Sequence, residues 1–180
     1  LTGMNSNPPG HNSGPYFDSD DRDNRCFMFA ELFRTTCNVT YAKSFEKYFA
    51  ANYFPFGWVH FSMYGTRAQW AYLNSNCSNY NNQAVKNTIL TNFRGSINGM
   101  ISVSQQNSYM AVSRMGVYSW IDVGVFAQIA TLSGMIYGLT LFPEYGKSMV
   151  EVITRQVDIS LGANPLSQSF ITGLGKKQVM

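Results

Sequence analysis

The side chains able to do chemistry are few and unevenly placed. The chain has 180 residues with only 10 Asp+Glu against 13 Lys+Arg. Four of the acids crowd into Asp18-Ser19-Asp20-Asp21-Arg22-Asp23. Clustered carboxylate oxygens suit a hard cation such as Ca2+, and Asp20 and Asp23 are the candidate ligands. The competing role for the same acids is to open a helix, whose positive end favours them. The glycine that an EF-hand loop requires is absent. Asp122 and Glu151 stand alone; the first reads as the acid of a helix N-terminus, the second as a solvated surface group. His11 and His60 are too few and too scattered for zinc. Neither a phosphate-cradling glycine loop nor a nucleophile elbow occurs.

Aromatic side chains are the richer resource, at 15% of residues against 13% charged. Trp and Tyr combine an apolar face with a polar edge, which matches a sugar's C–H faces and hydroxyls. Trp58 and Trp120 sit in segments that precede helices, with Tyr118 beside the second, and these three are candidate ligand contacts. A low-charge chain rich in Asn, Ser and Tyr fits a neutral polar ligand such as a sugar polymer. A net charge of +3 with no basic run argues against nucleic acid as the main partner.

Cys26, Cys37 and Cys77 are odd in number, so at least one is free or pairs outside the chain. Asn38-Val39-Thr40 and Asn76-Cys77-Ser78 are sequons, compatible with a secreted glycoprotein modified at Asn38 and Asn76. No charged-then-apolar leader precedes Leu1. The run from Val123 to Phe142 approaches membrane-spanning length. It contains Gln128, Thr131, Ser133 and Thr140 and lacks flanking basic residues, so it reads as a buried core helix rather than a membrane span.

The elements that must position these residues are helices. Leu1 to Pro15 reads as a loop. A first helix is expected from about Asp21 to Thr36, with Cys26, Phe29, Ala30 and Phe33 on its apolar face. A second spans Tyr41 to Asn52, with Phe45, Tyr48 and Phe49 on one side. A third runs from Trp58 to Leu73, and a fourth from Gln83 to about Gln105, weakened by Gly95 and Gly99. Ser108 to Tyr118 lacks a period and reads as an irregular loop. A fifth helix covers Val123 to Leu139. A sixth starts at Pro143, a residue suited to the first helical position, and ends near Leu161. Val150, Ile153, Val157 and Leu161 are expected to line its inner face. The chain is therefore all-α, and helices apolar on most sides need other helices around them.

One stretch is more specified than any other: Leu161-Gly162-Ala163-Asn164-Pro165-Leu166-Ser167-Gln168-Ser169-Phe170-Ile171-Thr172-Gly173-Leu174-Gly175. Gly162 suits the left-handed turn that closes a helix. Asn164-Pro165 bars the helix from restarting, and Gly173 and Gly175 suit turns. A shaped loop after a long helix is where a scaffold presents functional groups. This stretch resembles the L-G-x-N-P-x-x-x-S-F-x-T-G-x-G signature of glycoside hydrolase family nine, the cellulases built on six helical hairpins. Asp18 to Phe33 resembles, without a gap, that family's D-S-N-Y-S-D-E-F-F-W-A-A-A-E-L-Y segment, matching at Asp18, Ser19, Asp23, Ala30, Glu31 and Leu32.

The resemblance implies part, about half, of an (α/α)6 toroid, with residues 1–180 as one partial catalytic domain truncated at both ends. It implies an inverting endo-1,4-β-glucanase in complete form, acting on a cellulose-type β-glucan, secreted, with no required cofactor. Tyr16 resembles an aromatic along the family's cleft, and Trp120-Ile121-Asp122 looks like its Trp-Gly-Ser segment with two positions changed. Some members hold calcium at an Asp-Glu pair that here reads Asp23-Asn24. Such enzymes need two carboxyl groups across the scissile bond. The family's base lies in a D-A-G-D motif and its acid beyond a loop that follows the N-P signature. Neither has a match here, so no catalytic residue is assigned. Half a toroid would expose apolar faces, which implies self-association or contact with missing segments.

Overall fold

The computed structural model describes residues 21–52, 64–106, 108–109, 111–112 and 141–176. Among these residues the elements are helical, with no β-strand. The expected fifth helix and the beginning of the expected third lie outside the described residues. Contacts divide the chain into two compact units, Leu1–Leu90 and Thr91–Met180.

The first unit is organised around α1, Arg22–Thr36. It packs against both α2, Val39–Ala51, and α3, Gly65–Leu73. The apolar spacing works as expected at Cys26, Ala30 and Phe33, which are all buried. Phe29 is half-buried and instead stacks near Tyr41 and Tyr48 of α2, at centroid distances of 6.5 and 5.6 Å. Asp23 shares the buried face.

Helix α2 begins two residues earlier than the periodicity indicates. The Oδ1 of Asn38 accepts the Thr40 N–H at 2.9 Å and caps the first turn. Only Cys37 and Asn38 separate α1 from α2. Cys37 makes this reversal at φ 53°, where a Cβ is crowded, while its N–H bonds the Phe33 carbonyl at 2.8 Å.

Tyr72 of α3 sits at the centre of the aromatic core. Its ring lies 4.3 Å from Phe45 and 5.7 Å from Phe33, centroid to centroid. Its hydroxyl donates to Glu46 at 2.5 Å, and Tyr80 donates to the other oxygen of that carboxylate at 3.1 Å. Glu46 thus gives the buried phenol a partner where water is excluded. Burial, reinforced by Glu46, pushes the Tyr72 phenol far above its ordinary range. Cys37 and Cys77 form a disulfide, tying the α1–α2 turn to the segment after α3. Cys26 is free, and burial pushes its thiol up to about 12.

The division between units falls inside α4, Gln83–Ser104. In the second unit, Phe93 and Ile97 of this helix are buried. A 3-10 turn at Pro143–Tyr145 leads into α5, Gly146–Leu161, so the proline does open the last helical segment. Arg94 bridges Glu144 at 3.1 Å and lies 4.9 Å over the Phe142 ring.

The inner face of α5 differs from the expectation. Its buried residues are Met149, Val152, Gln156, Ile159 and Ser160. Val150, Val157 and Leu161 remain 43–45% exposed, and Ile153 is half-buried. This helix carries two stripes at helical spacing, and Gln156 interrupts the one that is buried. The polar interruption is satisfied: Gln156 Oε1 accepts the Val112 N–H at 3.1 Å, and its Nε2 donates to the Val152 carbonyl at 3.2 Å. A hydrogen-bonded amide can occupy a core position that patterning alone assigns to a hydrocarbon.

Candidate functional site

The loop after α5 is built as its sequence suggests, with one addition. Gly162 has φ 124°. The Gly162 N–H bonds the Ile159 carbonyl at 3.4 Å and the Ala163 N–H bonds the Asp158 carbonyl at 2.8 Å, the paired closure of a Schellman end. A Cβ at Gly162 would meet only ordinary contacts, so the positive φ is what favours glycine there.

Asn164 is the addition. Its side chain is buried at 6% exposure. Its Nδ2 donates to the carbonyls of Ile159, at 2.7 Å, and Gln168, at 2.9 Å. Its Oδ1 accepts the Leu166 N–H at 3.1 Å. One amide therefore joins the helix end to both arms of the loop. Proline at 165 fixes the first corner of the turn that the Ser167 N–H closes onto the Asn164 carbonyl at 2.9 Å. Phe170 then returns, its N–H bonding the Ser160 carbonyl at 3.0 Å. Ser169 is buried, and its Oγ accepts the Ile171 N–H at 3.2 Å. Gly173, at φ 80°, occupies the third position of a turn closed by the Leu174 N–H on the Ile171 carbonyl at 3.1 Å. The result is a hydrogen-bonded loop carrying exposed Leu166, Ile171, Thr172 and Leu174.

The acidic segment before α1 has a structural use. Asp21 pairs with Arg25 one turn later, at 2.6 Å. Buried Asp23 accepts the Asn24 N–H on one oxygen, at 2.9 Å, and the Tyr64 N–H on the other. It thereby fixes the residue that precedes α3. Asp23, expected from sequence as a calcium ligand, has in these two bonds a structural role. Asp20 lies outside the described residues. Among the described residues, no three or more His, Cys, Asp or Glu gather into a metal site.

The expected sugar-facing aromatics Tyr16, Trp58, Tyr118 and Trp120 all lie outside the described residues, as does Asp122. Glu151 is exposed on α5. Asn38 and Asn76 are exposed. Among the described residues no helix is long and apolar enough to cross a membrane, and most of the Val123–Phe142 run lies outside them. Sequence reading missed the hub roles of Asn164, Glu46 and Gln156. A signal existed for Asn164, since Asn before Pro at a helix stop favours a side-chain-closed turn.

The chain matches the family described as Glycosyl hydrolase family 9 over residues 2–180. It is similar to a metagenome-derived family 9 endoglucanase, with TM-score 0.82 and 21% identity over 97% of this chain and 31% of that one. AaCel9A, solved with a cellobiose-like isofagomine, gives TM-score 0.83 and 20% identity over 97% of this chain and 32% of that one. Endoglucanase J30 gives TM-score 0.82 and 24% identity over 96% of this chain and 31% of that one. A search of the curated proteins gives no match. The chain thus spans about a third of the length of these solved structures. With the family pattern matched over all but its first residue, the chain belongs to glycosyl hydrolase family 9.

Proposed function

We propose that this chain is a segment of an inverting endo-1,4-β-glucanase that degrades cellulose-type glucan. The observation that carries this reading is the loop from Gly162 to Gly175. It holds the family's N-P and S-F-x-T-G residues in a bonded framework centred on Asn164. The complete enzyme would place one carboxyl group to protonate the leaving oxygen and another to activate water on the opposite face. No residue of this chain is assigned to either role; its own contribution is scaffold and ligand contact. The cellobiose-like ligand named for one solved relative supports a β-glucan as the substrate class. Trp58, Trp120, Tyr118 and Tyr16 are the proposed contacts.

We place the protein outside the cell, and the Cys37–Cys77 disulfide supports that, since such bonds persist in oxidising compartments. The exposed stripe of Val150, Val157 and Leu161 supports contact with further helical segments or self-association. Calcium is no requirement of this reading.

The test is a reducing-sugar assay on a soluble cellulose derivative. The chain joined to its flanking coding sequence is expected to release reducing ends, and the 180-residue chain alone is expected to release none. Turnover by the short chain would overturn the proposal. A non-catalytic carbohydrate-binding or structural protein descended from such an enzyme is the second reading. Cello-oligosaccharide binding by calorimetry, lost on Trp120→Ala, with no turnover from the extended chain, would select it.

A further inference from the structure

The disulfide brings together two features that are distant in sequence. Asn38 directly follows Cys37, and Asn76 directly precedes Cys77. The two cysteine Cα atoms are 5.3 Å apart. Consecutive Cα atoms are about 3.8 Å apart, so the two asparagine Cα atoms lie within about 13 Å of each other. Both belong to Asn-x-Ser/Thr triplets. Asn38, Thr40, Asn76 and Ser78 are all exposed. The corner is also fixed by the Asn79 side chain, whose Nδ2 donates to the Cys37 carbonyl at 2.9 Å.

The two acceptors differ in one respect. The Oδ1 of Asn38 takes the Thr40 N–H and caps α2. That bond leaves Nδ2, the atom that would carry a sugar, outside the cap, so modification and capping are compatible. In the second triplet the middle residue is Cys77 itself. Closing the disulfide pins the backbone beside Asn76 into the folded corner, where a transferase has less access to it.

We propose that this corner is a paired N-glycan acceptor, with Asn38 and Asn76 modified side by side and with disulfide closure competing against transfer at Asn76. In each transfer the donor is a lipid-pyrophosphate-linked oligosaccharide. A bond forms between the asparagine Nδ2 and C1 of the reducing-end sugar. The C1–O bond to pyrophosphate breaks, the lipid pyrophosphate leaves with the electron pair, and one amide proton is lost to a base. The inference rests on the extracellular reading above, and its readout at the asparagines is independent of any glucan binding. Two glycans here would also reserve this corner of the first unit for solvent.

The experiment expresses the 180-residue chain behind a secretory leader in a eukaryotic cell line. Retained and secreted pools are combined and digested with peptide-N-glycosidase in 18O-water, and labelled aspartate is mapped by mass spectrometry. Label is expected at both positions, with occupancy lower at Asn76. Thr40→Ala should abolish label at Asn38 alone, and Ser78→Ala at Asn76 alone. Cys37→Ser should raise occupancy at Asn76 and leave Asn38 unchanged. Unlabelled asparagine at either position in the wild-type chain overturns the paired site. Unchanged Asn76 occupancy in Cys37→Ser overturns the competition.

Discussion

Replacing Asn164 with Ala tests whether one buried amide holds the loop after α5. The substitution removes two donated bonds, to Ile159 and Gln168 carbonyls, and one accepted from the Leu166 N–H. The Ile159 carbonyl keeps the Gly162 N–H. The Gln168 carbonyl and the Leu166 N–H lose the side chain that satisfied them. Three lost bonds at about 0.5–1.5 kcal/mol each, two of them part-buried and open to water, should cost the loop about 2–4 kcal/mol. The loss is local, because the amide acts on the loop and the helix end rather than on the core. Amide exchange read by mass spectrometry is therefore the suitable assay. The informative amides are Ala163 and Phe170, whose bonds to Asp158 and Ser160 close the loop. Their exchange should accelerate by about 30-fold or more, at tenfold per 1.4 kcal/mol.

Asn164→Asp adds a sign test. It sets a carboxylate against two carbonyl oxygens, so it should exceed the alanine effect at neutral pH. Those carbonyls raise the folded pKa of the introduced acid above its unfolded value of about 4. Its protonated form can donate one bond, so the defect should shrink as pH falls toward that value and return as pH rises. Exchange within threefold of wild type in the alanine variant, or an aspartate variant indifferent to pH, would refute the hub role.

Four further outcomes follow from the same geometry. The Cys37–Cys77 bond closes a span of 40 residues, so its loss in Cys37→Ala should destabilise the first unit by about 4 kcal/mol. A denaturant titration of the oxidised and reduced protein measures this. The Cys26 thiol, pushed up to about 12 by burial, should resist a thiol reagent at pH 8 and react once the protein is denatured. Its raised folded value stabilises the first unit below the unfolded value of about 8.5, a contribution lost as pH rises from there through the folded value. Tyr72 adds the same sign of dependence above about 10, so absorbance near 295 nm should show its ionisation only with alkaline unfolding. Gln156→Leu should leave the Val112 N–H without its acceptor and cost about 1–3 kcal/mol, seen as faster exchange at Val112 itself.

The helices were legible because their signals are local. The acids before α1 and the spacing of Cys26, Ala30 and Phe33 gave its extent nearly to the residue. Pro143 and Gly162 marked the two ends of the last helical segment because each restricts or extends φ in a way no partner is needed to reveal. The choice of face on α5 was not legible. Its two stripes have similar spacing, the exposed one is the more apolar, and only tertiary contacts select the one that holds Gln156. Helix α2 began early for a related reason: its start depends on the Asn38 cap rather than on apolar period. The candidate ligand aromatics carry no local signal that separates a sugar-facing ring from a core one.

Four polar residues, three of whose roles escaped pattern reading, share one physical task. Asp23, Gln156 and Asn164 each spend a buried side chain on a backbone group of another segment, and Glu46 does so for two phenols. Helix packing alone leaves the connections between helices weakly determined, because apolar contact has little directionality. A hydrogen-bonded side chain at a connection supplies the missing direction, and it raises the penalty for any alternative path of the chain. Apolar stripes thus select which helices meet, while these four residues fix how the chain leaves them. For a protein whose proposed work is to present loops to a glucan, the second choice bears more closely on function. On that argument, a substitution at Asn164 or Gln156 should disturb loop placement well before it unfolds a helix, whereas Phe93→Ala should do the reverse.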